Sequence, residues 1–159
     1  MSRASRRSSG RGSTIQSNAG IEIVGLTDFT RALKVACEQA PKAMKEANYE
    51  VADLLVKAAK ARARNEPGVA GKASRSLRAS RTASYASIRG GGGRYPYFYG
   101  AEFGSKRYGQ FQSWRGNQWG GWNGGPGYFL HPAIRAEGPK AIEKYMEKID
   151  ALTAEAFPN

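Results

Sequence analysis

Arg94-Tyr95-Pro96-Tyr97-Phe98-Tyr99-Gly100-Ala101-Glu102-Phe103-Gly104 is the most aromatic run of the chain, and its reading decides what the middle of the protein is. Taken with a period of two, Tyr95, Tyr97 and Tyr99 share one face while Pro96 and Phe98 turn the other way. Pro96 has no N–H to give to a ladder, which predicts a strand that starts here or lies at the rim of a sheet. An edge strand carrying three tyrosines is a template for another chain. The expectation is a docking edge, with Tyr95, Tyr97, Tyr99, Glu102 and Phe103 at a subunit or partner interface.

The flanks fit that reading. Gly90–Gly93 is four glycines in a row, a flexible connector and plausible hairpin loop. Before it, Thr82, Ser84, Ala86 and Ile88 alternate with Ala83, Tyr85 and Ser87, which predicts one or two strands between Gly71 and Arg89. After it, residues 104–127 are glycine-rich, aperiodic and hold Phe111, Trp114, Trp119 and Trp122. Loops of that length inside a domain are usually functional. Trp114, Trp119 and Trp122 are costly to leave in water, so they are expected to cover a partner or to fold back as a lid.

Helices bracket this centre. Ile21-Glu22-Ile23-Val24 reads as a short strand ending at Gly25, and Thr27 or Asp28 can cap the helix that follows. Phe29, Leu33, Ala36, Ala40, Met44, Ala47, Val51, Leu54 and Ala58 recur every three or four residues. Pro41 interrupts that stripe without changing its phase, which predicts a kink near Ala40. Arg62 and Arg64 suit the C-terminal end of the dipole, and Pro67-Gly68 stops the helix. Tyr128-Phe129-Leu130 reads as a short strand. Pro132 and Pro139 each suit the first turn of a helix. The last helix presents Ile142, Tyr145, Met146, Ile149, Leu152 and Ala156 on one face. The expected fold is α+β: a small antiparallel sheet packed with one long kinked N-terminal helix and a C-terminal helix.

A chain of 159 residues builds one hydrophobic core. The division expected is a disordered basic arm over 1–18 and a single domain over 19–159, with the Gly/Trp-rich loop inserted at 104–127. Net charge is +12 and unevenly placed. Arg3, Arg6, Arg7 and Arg11 stand in the arm without an acid; residues 60–115 hold twelve Lys/Arg against Glu66 and Glu102 alone. The helical segments are close to neutral. Such asymmetry calls for a polyanionic neighbour, and the four arm arginines are the candidate nucleic-acid contacts.

Chemistry is scarce. One cysteine, Cys37, and one histidine, His131, supply neither a disulfide nor a metal site, and Cys37 falls on the apolar stripe. No nucleophile elbow accompanies His131, which reads as a turn or helix-cap residue before Pro132. The tetraglycine lacks the Gly-Lys-Ser/Thr ending of a phosphate loop. Glu102 is expected to pair with nearby arginines, with no second carboxylate for acid–base work. No catalytic residue, metal or cofactor is expected, and the chain does not read as an enzyme. No apolar run approaches the ~20 residues that span a bilayer. A non-specific nucleic-acid binder is a rival reading, because arginines interleaved with aromatics suit phosphate neutralisation and base stacking.

Three stretches resemble a known family. Gly71 followed by Leu77-Arg78-Ala79-Ser80 is similar to a Gly-x-Leu-x-x-Ser element, at a longer spacing. Tyr99-Gly100-Ala101-Glu102-Phe103-Gly104-Ser105 is similar to a Tyr-Ala…Glu-Phe-Gly-Thr strand, and Phe129-Leu130-His131-Pro132-Ala133 to a Pro-Phe-Leu-x-Pro-Ala opening of the last helix. In this order they resemble the neck or tail-completion proteins of long-tailed double-stranded DNA phages, over roughly residues 21–157. The basic arm and the long Gly/Trp segment depart from that pattern. The resemblance implies a virion protein assembled in the host cytoplasm: a ring, six-fold by expectation, at the head–tail joint. DNA would pass through it, and its neighbours would be a head-closure or connector protein and a tail terminator or tail tube protein. A tail terminator or minor tail protein is the near alternative.

Overall fold

The computed structural model describes residues 40–116 and 127–158, together with Asp28, Arg31, Ala32 and Val35. The strand expected at residues 21–24, Thr27, Cys37, the arm arginines Arg3, Arg6, Arg7 and Arg11, and Trp119 and Trp122 lie outside the described residues. The order is helix α1 (Ala40–Arg64), helix α2 (Ala70–Ser74), strand β1 (Arg78–Ser80), strand β2 (Ser87–Arg89), helix α3 (Phe98–Phe103) and helix α4 (Leu130–Ala156). The architecture is α+β, with a two-stranded antiparallel ribbon laid against long helices. No helix among the described residues is long and apolar enough to cross a membrane.

Helix α1 is sandwiched, and its alanines explain how. Ala40, Met44 and Ala47 pack on Tyr145, with Ile149, Leu152 and Ala156 beside them. About two turns further, Leu55 meets Ile134 and Ala141. At the far end Val56, Ala59 and Ala63 pack on Ala70, Ala73, Leu77, Phe98 and Phe129. The first residues of α1 thus meet the last of α4, so the two helices run antiparallel. Small residues along α1 let its neighbours approach the backbone closely, which fills the space without large side chains. Past Ala47 the buried positions become Ala52, Leu55, Val56, Ala59 and Ala63, while Val51, Leu54 and Ala58 are half-buried. A single stripe was expected; two faces are covered because α4 lies on one side and the α2–ribbon–α3 segment on the other. Pro41 lies at the edge of the described part of α1, next to residues outside it. The kink expected there involves residues outside the described ones.

Several local expectations change. The ribbon pairs Arg78 with Arg89, Ala79 with Ile88 and Ser80 with Ser87, so the hairpin loop is residues 81–86 and not the four glycines. That loop is pinned to α1: Asn48 Nδ2 donates to the Thr82 carbonyl at 2.8 Å, and Arg81 pairs with Glu46 at 2.5 Å while lying over the Tyr49 ring. The glycines follow β2 and lead into a turn closed by Tyr95 N–H on the Gly92 carbonyl, 2.8 Å. Tyr128 and Phe129 precede α4 without forming a strand, and Pro139 lies inside that helix instead of starting one. On α4 the buried positions include Ala141 and Tyr145, whereas Ile142 and Met146 are exposed. Tyr145, Ile149, Leu152 and Ala156 of the expected face pack on α1 as expected, and Ala141 takes the place expected for Ile142.

The expected edge strand is not a strand. Residues 94–97 form turns, and Phe98–Phe103 is the short helix α3. Its buried residues Phe98, Ala101 and Glu102 follow the three-and-four spacing of a helix, which the alternating tyrosines mask. Six residues are too few to be helical alone, so tertiary contacts hold them. Phe98 packs edge-on against Phe129 with ring centroids 5.8 Å apart.

Tyr145 reports on the α1–α4 seam. Burial pushes its phenol up to about 12. Between the ordinary phenol value near 10 and about 12, the unfolded chain loses this proton while the folded one keeps it. Stability from this group is therefore complete below pH ~10 and declines by about 1–2 kcal/mol as pH rises towards ~12. In urea titrations across that range, Tyr145→Phe should lose stability less steeply than the parent chain. Parallel slopes would place the phenol in water.

Candidate functional site

The centre of the chain is organised by one buried carboxylate. Glu102, on α3, is 0% exposed. Its Oε2 accepts from the N–H groups of Phe129, 3.2 Å, and Leu130, 2.9 Å. Its Oε1 accepts from His131 N–H and lies 2.9 Å from His131 Nδ1. The Glu102 backbone carbonyl takes the Tyr128 N–H at 2.7 Å. The opening of α4 is thereby satisfied in full. Phe129, Leu130 and His131 give their free N–H groups to Glu102, Pro132 has none, and the Ala133 N–H returns to the Phe129 carbonyl. Phe129, the N-cap residue, has no side-chain oxygen to do this itself. A carboxylate at the positive end of a 27-residue helix also meets a favourable dipole.

Two glycines make room for this clamp. Gly127 has φ +86°, and a Cβ there would fall on the Glu102 Oε1. Gly104 has φ +77°, and a Cβ there would strike the backbone of Gln112 and Ser113. The chain after Gly104 returns as a strap: Ser105 N–H donates to the Gln112 carbonyl, 2.9 Å, and Arg115 N–H to the Phe103 carbonyl, 2.8 Å. Tyr128 Oη donates to the Ser113 carbonyl, 2.7 Å, and Gln112 Nε2 to Glu66 Oε2, 3.1 Å. The described half of the Gly/Trp loop therefore folds back on its own subunit.

The expected interface residues separate into two groups. Glu102 and Phe103 face inward, so neither offers surface to a partner; Phe103 stacks with Tyr99, centroids 6.5 Å apart, and packs beside the His131 ring at 5.1 Å. The pairing expected between Glu102 and arginines is replaced by the backbone of α4: among the described residues no arginine pairs with this buried carboxylate. His131 is at the helix start, as its place before Pro132 implied, and the Glu102 carboxylate orients its ring. Tyr95 and Tyr97 are half-buried and touch edge to face at 6.2 Å. Tyr99 and Trp114 are exposed, at 60% and 41%. Tyr108, which drew no attention in the sequence, is exposed as well and lies under the Arg107 guanidinium. Tyr99, Tyr108 and Trp114 are thus the large aromatics that α3 and its strap leave exposed.

With both of its oxygens occupied by donors, the Glu102 carboxylate is a joint between α3 and the start of α4 and keeps no lone pair of its own ready for acid–base chemistry. Among the described residues no group of three or more His, Cys, Asp and Glu gathers to hold a metal. Around the joint the surface is cationic. Of the twelve Lys/Arg between residues 60 and 115, all but Lys60 are exposed, and only Arg81 meets a carboxylate among the described residues. Comparison of the chain with protein-family models, with curated proteins and with solved structures finds no match in any of the three.

Removing the joint has a defined cost. Glu102→Ala strands three backbone donors at the buried start of α4 and should lower unfolding free energy by about 3–5 kcal/mol. Gly127→Ala, which drives a methyl into the same carboxylate, should cost at least about 2 kcal/mol. Denaturant midpoints measure both. A loss below about 1 kcal/mol for Glu102→Ala would mean the clamp is dispensable.

Proposed function

We propose that this chain is a structural protein of the phage head–tail joint, a neck or tail-completion subunit that assembles into a ring and lets DNA pass. One observation supports the reading most: two of the stretches that carry the resemblance meet at a single point. Glu102 of Glu102-Phe103-Gly104 caps the helix that Phe129-Leu130-His131-Pro132-Ala133 opens. Gly104 lets the strap pass close to the same place. A pattern of motifs separated by 25 residues thus has a shared physical reason, which isolated coincidences of sequence would lack. The saturated Glu102 carboxylate suits a structural role.

The docking surface in this reading is the helix α3 and its strap, with Tyr99, Tyr108 and Trp114 outward. A heterologous contact of that patch with a different face of the next copy closes into a ring. The neighbours are a head-closure or connector protein on one side and a tail terminator or tail tube protein on the other; the location is the virion. A tail terminator or minor tail protein remains the alternative identity.

Native mass spectrometry and negative-stain imaging of the full chain, alone and co-expressed with the products of adjacent genes, test this. Closed rings, or assembly on a head-closure partner, are the expected result. Tyr99→Asp combined with Tyr108→Asp should leave a folded monomer that no longer assembles, since two charges then enter an aromatic contact. A chain that stays monomeric with every neighbouring gene product would end the neck reading.

A further inference from the structure

The outward face of the β1–β2 ribbon carries a charge arrangement that folding alone disfavours. Arg78 and Arg89 sit directly opposite each other in the antiparallel register, both exposed. Like charges in that position repel across the strands. Neither has a carboxylate partner among the described residues, whereas Arg81, three residues from Arg78, pairs with Glu46. The inward partners, Ala79 and Ile88, pack on the core, so the arginines and the next outward pair, Ser80 and Ser87, share the opposite face.

Further exposed cations stand on the segments before and after the ribbon. Lys72 and Arg75 are exposed on and just after α2, within a turn or two of Arg78. Arg94 is exposed three residues past Gly91, and Gly91 N–H donates to Ser76 Oγ at 2.8 Å, which ties that segment beside the start of β1. Five exposed cations without an acidic partner among the described residues thus lie on consecutive segments, and the bonds between α1 and the 81–86 loop hold the ribbon in place.

We infer that this ribbon face binds the phosphate backbone of duplex DNA. Arginine forks and serine hydroxyls are the donors that phosphate oxygens accept from. The outward residues include no large apolar side chain to anchor a protein partner. They also provide no row of aromatics on which successive unpaired bases would stack, which favours a duplex over a single strand. Binding is by charge and without base readout. The inference rests on the charge layout and stands whether or not the chain forms a ring.

The test uses the full chain and a fluorescent duplex of about 30 base pairs, titrated across a salt series near 0.1 M. Arg78→Ser with Arg89→Ser should weaken binding about tenfold or more and reduce the log–log salt slope by about 2. Lys140→Ser with Lys144→Ser removes the same charge from the outer face of α4 and should change affinity less than about threefold. Arg78→Lys with Arg89→Lys should keep most of the salt slope. Thermal midpoints verify folding: the serine pair relieves a repulsion and should melt no lower than the parent. Its particle mass should also be unchanged, which separates this result from any failure of the neck reading. Equal losses from the ribbon and α4 pairs would overturn the inference. So would displacement by polyglutamate as effective as by duplex, or tighter binding of a single strand of the same length.

Discussion

Five hydrogen bonds from residues 128–131 converge on Glu102, and the rest of the structure depends on that convergence. Helix α4 packs along the whole of α1, yet its own first residues contain no side chain able to cap it. The cap arrives from a six-residue helix more than 25 positions upstream. Because a carboxylate buried without donors is very costly, and helix N–H groups buried without acceptors are costly too, each half makes the other tolerable. The geometry admits little variation: Gly127 must lack a side chain for the carboxylate to fit, and Gly104 must turn for the strap to pass.

That joint also determines what the surface can be. With α3 held against the start of α4, Phe98 and Phe103 are committed to the interior and Tyr99 is left outside. The strap after Gly104 is drawn back by its bonds to Phe103 and Tyr128, and it leaves Tyr108 and Trp114 exposed. The ribbon is pinned to α1 through Asn48 and Glu46, meets Phe98 of α3 just after β2, and keeps Arg78 and Arg89 exposed. Exposed aromatics and exposed arginines are therefore carried by one frame.

Much of the frame was legible. The three-and-four spacing of Ala40, Met44 and Ala47 located the seam of α1, and Pro67-Gly68 placed its end within a few residues. The charge map was readable too, because exposed arginines keep their charge whatever the fold. The aromatic run was misread for a physical reason: three tyrosines at alternate positions mimic a strand, while the helical spacing of Phe98, Ala101 and Glu102 occupies too few residues to stand out. The hairpin was misplaced because four glycines are a stronger turn signal than a polar loop closed by Thr82 and held by Asn48 from another element.

By itself the sequence determined the class of fold, two long helices around a small antiparallel sheet, and the concentration of positive charge in the middle of the chain. Periodicity and composition are local properties, and they survive folding unchanged. Only the tertiary structure decided what Glu102 is for. Its sequence neighbourhood is basic and pointed to an ion pair with arginine. Its spatial neighbourhood is the start of a helix, where backbone donors take the place of side-chain charges. Only the strand register set Arg78 against Arg89. Partners distant along the chain decide both roles, and no window of sequence contains them.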